Sequence, residues 1–296
     1  MKKLLSVILA AAAGLSLQAQ GVAFLNISPD PASAALAGTG IARTADAYAL
    51  ENNVAAAALG GPAMDVAAGY GRWQPQAAAV NVISAAGYYR ITDKLALGLR
   101  FKDFAYPEYT VVSAAGRPGG SFSPMEMAFG LGAAYQLADG LSAGVSLHYV
   151  NSSLAEDAKA SAFGADLALK FEKDGFHAGL SVNNLGSAVN YGNGNYSQPG
   201  IVRAGCAYSI AGLTASAEAD YLFSGGMMAG VGLEYGIADI VFLRGGFHYG
   251  DAVKAIPTHA SLGLGLKYAG VHLDVAFLTA SKAVGNSLMA SLGFAF

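Results

Sequence analysis

The sequence predicts an all-β protein, a transmembrane antiparallel β-barrel of about 14 strands with an N-terminal plug-like segment. Three observations predict this fold: an alternating C-terminal stretch, a composition poor in charge, and connections whose lengths alternate along the chain. The predicted divisions are a signal peptide over residues 1–19, a plug or hatch segment over 20–63, and the barrel over 64–296.

The C-terminal stretch, Asn286–Phe296, alternates with period two, which is typical of a strand with one apolar face. The apolar face consists of Leu288, Ala290, Leu292, Phe294 and Phe296. A final barrel strand must pair with the first strand, because no edge can remain open in lipid. Leu292, Phe294 and Phe296 also resemble the C-terminal signal that barrel-assembly machinery recognises. The alternative is an ordinary last strand of a soluble sandwich.

The composition favours a protein that faces lipid. Charged residues make up 12% of the 296 residues, hydrophobic residues 54%, and there are 39 glycines and 15 tyrosines. Typical soluble chains are about 25% charged. Beyond the N-terminus no apolar run reaches the length of about 20 residues that a membrane helix needs, so a membrane protein of this composition must be a barrel.

The composition also excludes some classes of partner and metal site. The net charge of −3 gives no reason to expect a nucleic acid partner. Cys206 is the only cysteine, so an internal disulfide or a cysteine metal cluster is excluded. No cofactor or metal is predicted.

The N-terminus has the pattern of an export signal. Lys2 and Lys3 precede an apolar run, Leu4–Leu17, that is too short to span a membrane. Ala19 is the predicted last residue of the signal, which gives a mature start at Gln20. We expect the mature protein beyond the inner membrane.

Residues 20–63 do not alternate and are rich in alanine and glycine. Ser28–Pro31 predicts a turn, and Asp46–Leu50 and Val54–Leu59 predict short helices. Small residues allow close packing, and a barrel of this size needs filling, so we interpret the segment as a plug inside the lumen. The alternative is a periplasmic arm.

The barrel region begins at Met64 and alternates almost continuously, with apolar residues on one face and polar residues or glycine on the other. Six connections are tight turns, and most of those between them are longer. The tight ones are Ile91–Asp93, Ala138–Gly140, Lys173–Gly175, Ala211–Gly212, Ala238–Asp239 and Ala269–Gly270. Bacterial barrels have short periplasmic turns and longer outer loops, so this order predicts both ends of the barrel in the periplasm. The predicted outer loops include Pro107–Pro124, Asn151–Asp157 and Leu185–Pro199.

Several stretches resemble the PorV/PorQ family, outer-membrane barrels of the type IX secretion system that are related in fold to the long-chain fatty-acid transporter. At the start these are Phe24–Ile27, Asp30, Ala34–Gly38 and Ala45–Ala47; near the end they are Leu262–Tyr268 and Leu273–Leu278. Family members usually continue into an Asn-Pro-Ala-Gly-Leu-like motif, where this chain has Asn52–Ala55 without the proline. The likeness implies an outer-membrane location in a Gram-negative bacterium and secretion-system proteins or secreted cargo as partners.

No catalytic residues are predicted. The five histidines all fall on the polar faces of predicted strands; they are His148, His177, His248, His259 and His272. A barrel enzyme could carry a triad, but no Ser–His spacing indicates one. We interpret these residues, with Arg100, Arg203, Glu218, Asp220, Arg244 and Asp274, as a polar interior whose members pair with one another.

Three functions fit the sequence: a secretion component that binds partner or cargo proteins, a transporter of hydrophobic small molecules, and a general porin. The resemblance favours the first, and glycine or alanine at many lumen positions makes a porin the least favoured. The predicted binding loops are Pro107–Pro124 and Leu185–Pro199, with Tyr109, Arg117, Tyr191 and Tyr196 as candidate contact residues. The expected surroundings are the outer-membrane lipid bilayer and the barrel-assembly machinery.

Overall fold

The computed structural model describes residues 20–113, 116–192, 194–251, 255–280 and 285–296. The predicted signal peptide, residues 1–19, lies outside these ranges. Within them, no helix combines the length and the apolar character that crossing a membrane requires.

Strands dominate the described residues, and fourteen of them form one closed antiparallel barrel. In chain order the strands are β1 (Met64–Trp73), β2 (Val80–Arg90), β3 (Leu95–Ala105), β4 (Tyr109–Val112), β5 (Pro118–Phe122), β6 (Met125–Ala138), β7 (Leu141–Ala155), β8 (Ala158–Lys173), β9 (Phe176–Gly186), β10 (Val189–Asn190), β11 (Asn195–Tyr196), β12 (Ile201–Ile210), β13 (Leu213–Leu222), β14 (Met227–Ile237), β15 (Val241–Gly250), β16 (His259–Tyr268), β17 (Val271–Leu278) and β18 (Ser287–Ala295). Strands β4 and β5 form one small hairpin outside the barrel, and β10 and β11 form another. The predicted fold class and strand number are confirmed.

The barrel closes between its first and last strands. β1 pairs antiparallel with β18, with Asp65 opposite Ala295. Beyond this ladder, the Ala63 N–H donates to the Phe296 carbonyl at 2.9 Å, and the Phe296 N–H donates to the Met64 carbonyl at 2.8 Å. The sheet therefore has no free edge along this seam, as a structure surrounded by lipid requires.

The alternation of the sequence separates the two faces of the wall. On β13, Leu213 and Tyr221 are exposed on the outside, whereas Ser216 and Glu218 are buried inside. Successive side chains of a strand point to opposite faces, so one period-two pattern provides both a lipid-facing band and a polar lining.

Turn lengths differ between the two ends of the barrel. The six connections at one end have two to four residues, as predicted. In three of the two-residue turns both residues have left-handed backbone: Asp174 and Gly175 with φ of 51° and 77°, Ala211 and Gly212 with φ of 50° and 82°, and Ala269 and Gly270 with φ of 51° and 83°. Two-residue hairpins favour this conformation because its twist matches that of the strands.

One predicted outer loop is wrong. The stretch Asn151–Asp157 is mostly strand, because β7 continues to Ala155 and β8 begins at Ala158. Its polar residues are part of the barrel lining: the buried Ser152 hydroxyl donates to Glu126 Oε1 at 3.0 Å. A serine that faces the lumen looks like a loop residue in the sequence.

The segment before β1 lies inside the barrel as a plug. It contains a 3₁₀ helix (Ala23–Asn26), helix α1 (Pro31–Ala35), helix α2 (Ala49–Asn52) and a second 3₁₀ helix (Val54–Ala58). The prediction of short helices near residues 46–59 is confirmed in part, since α2 begins three residues later than expected. Helix α1 was not predicted; it begins directly after Asp30, within the stretch interpreted as a turn.

Wall glycines make room for the plug. A Cβ atom at Gly179 would lie 2.2 Å from the Ile41 carbonyl oxygen, and one at Gly263 would lie 2.3 Å from the Ala35 Cβ. Both distances are far below van der Waals contact, so the glycines and the small plug residues fit each other. This packing explains why the lumen-facing positions of the strands are so often glycine.

Candidate functional site

A buried carboxylate, Asp30, joins three parts of the plug. Its Oδ1 accepts the Ala32 N–H at 2.9 Å and so caps helix α1. Its Oδ2 accepts from the Arg43 guanidinium at 2.8 Å and from the Asn52 side-chain amide at 2.7 Å. These partners are 13 and 22 residues away in the chain, so Asp30 fixes the path of the whole segment.

Wall side chains bind the backbone of the plug. Their donors reach plug carbonyl groups from several sides of the barrel, which satisfies backbone groups that would otherwise be buried without partners. These bonds are Lys102 Nζ to Leu25 (2.9 Å), Ser142 Oγ to Ala55 (2.7 Å), Lys170 Nζ to Arg43 (2.9 Å) and Ser261 Oγ to Ala35 (2.8 Å). The plug is therefore fastened to the wall.

An ion-pair network lies where helix α2 meets the wall. Arg100 lies 2.6 Å from Asp166 across the lumen lining and 3.5 Å from Glu51 of α2. Lys102 lies 3.2 Å from the same Glu51 oxygen, Oε2. Buried charges are costly unless they are paired, so the plug carboxylate and the two wall cations stabilise each other's positions.

A second group of charges lies on β12 and β13. Arg203 lies 2.6 Å from Glu218, and its Nε is 3.8 Å from Asp220 Oδ1. The other Glu218 oxygen accepts the Ile41 N–H of the plug at 2.9 Å. The predicted pairing of interior charges is confirmed, and it extends to the plug.

A cavity of about 100 Å³ remains between the plug and the wall. Its lining includes the charged residues Glu51, Arg203 and Asp220 and the large apolar residues Trp73 and Met289. A larger cavity of about 390 Å³ lies toward the outer end, where Phe24, Tyr106 and Pro257 contribute to its lining. The two cavities share residues, namely Asn26, Ile27, Trp73, Met228 and Ile256.

The histidines lie inside but do not form a metal centre. His148, His177 and His248 are buried, and the His248 and His259 rings stack with centroids 4.8 Å apart. Across the described ranges, no three His, Cys, Asp or Glu side chains come together in a way that could hold a metal ion. Cys206 is exposed on the wall.

The first predicted binding loop contains the β4–β5 hairpin. Tyr109 packs on Phe122 with ring centroids 5.8 Å apart, and its hydroxyl donates to the Leu154 carbonyl at 3.3 Å. Arg117 lies exposed near the tip, where its backbone exchanges hydrogen bonds with Ser113. Tyr109 and Arg117 are thus both accessible, on one projecting element.

The second predicted loop turns inward. Tyr191 and Tyr196 pack edge to face with centroids 5.9 Å apart, and the Tyr191 hydroxyl donates to Ser152 at 2.8 Å. Both rings are partly buried against the hydrophobic cluster that contains Val22 and Phe24 of the plug. Their position makes them cover the plug rather than stand free as contacts for a partner.

Burial has an electrostatic effect at this end of the barrel. It raises the pKa of the Tyr191 phenol above its ordinary value. Burial, together with the neighbouring Glu126 carboxylate, also raises the pKa of Tyr106, which donates to Glu126 at 2.7 Å. Both phenols therefore remain neutral hydrogen-bond donors at any physiological pH.

Sequence reasoning missed the polar contacts that hold the outer start of the plug. The Gly21 N–H donates to the Ser197 carbonyl at 3.0 Å. Asn184, at a bulge of β9 with φ of 60°, donates to Asn26 Oδ1 at 2.9 Å and to the Pro199 carbonyl at 3.0 Å. The signal available in the sequence was the Asn183–Asn184 pair, which interrupts the alternation of β9.

Two of the proposed assembly residues, Leu292 and Phe294, lie on β18, and the third, Phe296, follows the strand directly. Leu292, Phe294 and Phe296 are exposed, and the last two rings contact each other with centroids 4.3 Å apart. Their side chains are accessible next to the seam where the barrel closes.

The fold and the fastened plug define a class: an outer-membrane β-barrel whose lumen holds its own N-terminal segment. Solved structures share this fold. The Ralstonia pickettii toluene transporter TbuX aligns with a TM-score of 0.67 at 16% identity, covering 90% of this chain and 98% of the transporter. The Pseudomonas putida toluene transporter TodX gives 0.63 at 13% identity, covering 89% and 96%. A Pseudomonas aeruginosa FadL homologue gives 0.60 at 12% identity, covering 90% and 98%.

The family is shown by the sequence. The model of the family described as type IX secretion system protein PorV matches residues 16–216. This chain belongs to that family, so it is a Gram-negative outer-membrane protein, and the predicted resemblance is confirmed. A search of curated protein sequences found no match.

Proposed function

We propose that this protein serves type IX secretion by binding partner or cargo proteins at the cell surface, with the barrel as its membrane anchor. Membership of the PorV family supports a role in the secretion system. The observation that carries the binding role is the β4–β5 hairpin, which projects from a barrel whose lumen is filled.

The filled lumen argues against bulk passage of protein or solute through the barrel. Plug residues contact the wall on several sides, and wall donors hold their carbonyl groups. A wide channel would require the whole segment to move out and break these bonds. Binding at the outer surface needs no such movement.

The hairpin has the features of a protein contact. Val112 and Arg117 are exposed, and the two glycines Gly119 and Gly120 leave the backbone of β5 open to an approaching chain. Loops on a rigid scaffold carry recognition, and exposed strand edges can accept another strand. We therefore assign partner binding to Tyr109, Val112 and Arg117 ahead of Tyr191 and Tyr196.

Transport of a hydrophobic small molecule is the second candidate. The structural neighbours TbuX and TodX are toluene transporters, and this chain has an outer cavity of about 390 Å³ with Phe24, Trp73 and Ile256 in its lining. The cavity favours this candidate because apolar concave sites are where small ligands bind.

Replacing Pro107–Pro124 by a two-residue turn tests the binding role. We expect cargo display at the cell surface to fall several-fold while the barrel level stays unchanged, because the hairpin makes few contacts with the wall. Val112→Asp with Arg117→Glu should give a smaller loss. Glu156→Ala, at the exposed outer turn between β7 and β8, is the matched control.

Uptake of a hydrophobic solute is measured in the same cells. Two results together would contradict the binding role and support transport. Cargo display would survive the loss of the hairpin, and uptake would fall when bulky residues fill the outer cavity.

A further inference from the structure

A polar pocket lies on the outside of the barrel wall, near its outer end. Its volume is about 390 Å³, within the range of roughly 300–1,000 Å³ that ligand sites cover. The polar residues of its lining are Asn151 of β7, Lys159 and Ser161 of β8, and Asn190 of β10. None of these residues lines the two cavities inside the lumen, so the pocket is separate from them.

The register of β7 and β8 brings these side chains to one place. Asn151 lies directly opposite Ser161, and Lys159 lies opposite Ser153 in the next outward-facing pair. Directly opposite residues have Cβ atoms about 4.5–5.5 Å apart, and residues two positions apart on a strand share a face. The amide, the hydroxyl and the ammonium group therefore face the same space.

The third side of the pocket comes from the stretch after β9. The Ser187 N–H donates to the Phe163 carbonyl at 3.0 Å, which aligns this stretch with β8. The side chain of Asn190 is held in place, because its amide donates to Asn195 Oδ1 at 2.8 Å and its oxygen accepts the Gly192 N–H at 2.7 Å. An asparagine amide has a second N–H and a second lone pair, which can serve a ligand.

The pocket lies where acyl chains give way to lipid headgroups. Tyr149 and Phe163 form the next outward-facing pair toward the membrane centre, with ring centroids 5.2 Å apart, and Leu147 beyond them is 65% exposed. Aromatic side chains of barrels gather at the membrane interface. Asn151 and Ser161 come two residues later, about 7 Å farther along the strands. The same face thus changes from apolar to polar at headgroup level.

The pocket carries one positive charge. Lys159 is the only charged residue among the described lining residues, and it takes part in none of the ion pairs found between described residues. Glu156 and Asp157 lie in the exposed turn beyond the pocket and do not line it. A lysine ammonium binds phosphate as a point charge, whereas asparagine and serine supply both donors and acceptors, as hydroxyl groups require.

We infer that this pocket binds the phosphorylated sugar headgroup of an outer-leaflet glycolipid. Such lipids are the main component of the outer leaflet in Gram-negative bacteria, and the pocket faces that leaflet. The sugar hydroxyls pair with Asn151, Ser161 and Asn190. The phosphate pairs with Lys159, and the acyl chains pack along the aromatic pair below. A phospholipid would satisfy the lysine but would leave the three neutral groups without sugar hydroxyls. The inference does not depend on the proposed function.

Three ligands separate this lipid from other sources of the same chemistry. Lipid A is a phosphorylated disaccharide with acyl chains, phosphatidic acid has acyl chains and a phosphate but no sugar, and glucosamine phosphate has no acyl chains. The detergent-purified protein is titrated with each, and bound ligand is counted by native mass spectrometry. We expect one saturable lipid A adduct, bound at least ten-fold more tightly than either comparator.

Equal binding of phosphatidic acid would mean that the wall binds lipid without regard to the headgroup. Equal binding of glucosamine phosphate would mean a site for soluble sugar phosphates. Either result, or the absence of a saturable lipid A adduct, would overturn the inference.

Ser161→Leu fills the pocket with an apolar side chain on the outward face, where the barrel tolerates such residues, and should weaken lipid A binding at least ten-fold. Lys159→Gln should weaken it several-fold, because a charge-assisted contact is lost. Ala229→Leu, on the exposed face of β14 near the same end of the barrel, is the matched control and should keep the original affinity.

Heat-modifiable gel migration shows whether each variant is folded, and Asn151→Leu takes the place of Ser161→Leu if the latter does not fold. An unchanged affinity in the folded pocket variant would contradict the inference, and so would an equal loss in Ala229→Leu.

Discussion

The backbone and the side chain of Phe296 have different roles. Its backbone closes the barrel through hydrogen bonds to Ala63 and Met64, whereas its side chain is 65% exposed and touches the Phe294 ring. Any residue except proline can make both backbone bonds at this position. The aromatic side chain is therefore available for recognition by the assembly machinery.

Phe296→Lys is expected to lower the amount of folded barrel in the outer membrane several-fold while export of the precursor continues. A lysine near the membrane interface costs only about 0–1 kcal/mol, too little to unfold a barrel, so the loss would reflect failed recognition. Folded barrel is quantified by unheated gel migration of isolated outer membranes.

Tyr268→Lys is the matched control, since Tyr268 is 75% exposed at the same end of the barrel, on β16. Equal losses in the two variants would contradict a special role for Phe296, and so would an unchanged level in Phe296→Lys.

Residue positions inside the lumen were partly predictable. Arg100, Arg203 and Glu218 fall on the polar face of the alternating strands, which predicts that they lie in the lumen. Buried polar side chains need hydrogen-bond or ion-pair partners, so their pairing was also predictable. The inward turn of Tyr191 and Tyr196 was not predictable, because it depends on Val22 and Phe24, which are distant in the chain. Composition marks a loop but does not say which way its aromatic side chains face.

At the scale of elements, the strands are determined by nearby sequence, whereas the plug is determined by contacts between residues that are distant in the chain. A strand such as β13 is specified by its own alternation and by a two-residue turn on one side. The plug depends on contacts such as Asp30 with Asn52 and Ser261 with Ala35, which join residues 22 and 226 positions apart. Its existence could be predicted from small residues, but its path could not.

Removal of the plug segment Phe24–Leu59 should raise single-channel conductance in planar bilayers by a large factor, because this segment fills the lumen. Asp30→Ala should give a smaller rise. The substitution breaks the ion pair between Asp30 and Arg43 but leaves Arg43 paired with Asp46. Breaking a buried ion pair lowers stability by about 3 kcal/mol at the lower end of the usual range.

Asp93→Ala, in the exposed turn between β2 and β3, should leave conductance at the level of the intact protein. If conductance also stays at that level after the segment is removed, the barrel is closed by something other than the plug.

At the scale of the whole molecule, the barrel combines an apolar outer band with a charged, glycine-rich interior. Residues such as Leu147, Phe163 and Leu262 are exposed on the wall, each by more than 60%, which is stable only in lipid or detergent. The same alternating pattern along fourteen strands therefore determines both the lipid-facing outer surface and the polar, glycine-rich lining of the lumen.

The purified protein is expected to be a monomer in detergent, with a sheet-dominated circular dichroism spectrum and a gel mobility that changes on boiling. Closed barrels resist unfolding by cold detergent because every wall strand has two paired neighbours. A protein that stays dispersed without detergent, or whose mobility is the same before and after boiling, would contradict the membrane barrel.

The course of the plug limits the direction in which it can leave the barrel. Gly21 is bound at the outer end of the cylinder, and Ala63 meets Phe296 at the opposite end, so the polypeptide is threaded through a ring made from its own later residues. Such a ring can form around the thread, but the thread cannot slip out toward the exterior, because its trailing end continues covalently into β1. The plug can therefore leave the closed barrel only toward the end where Ala63 meets Phe296.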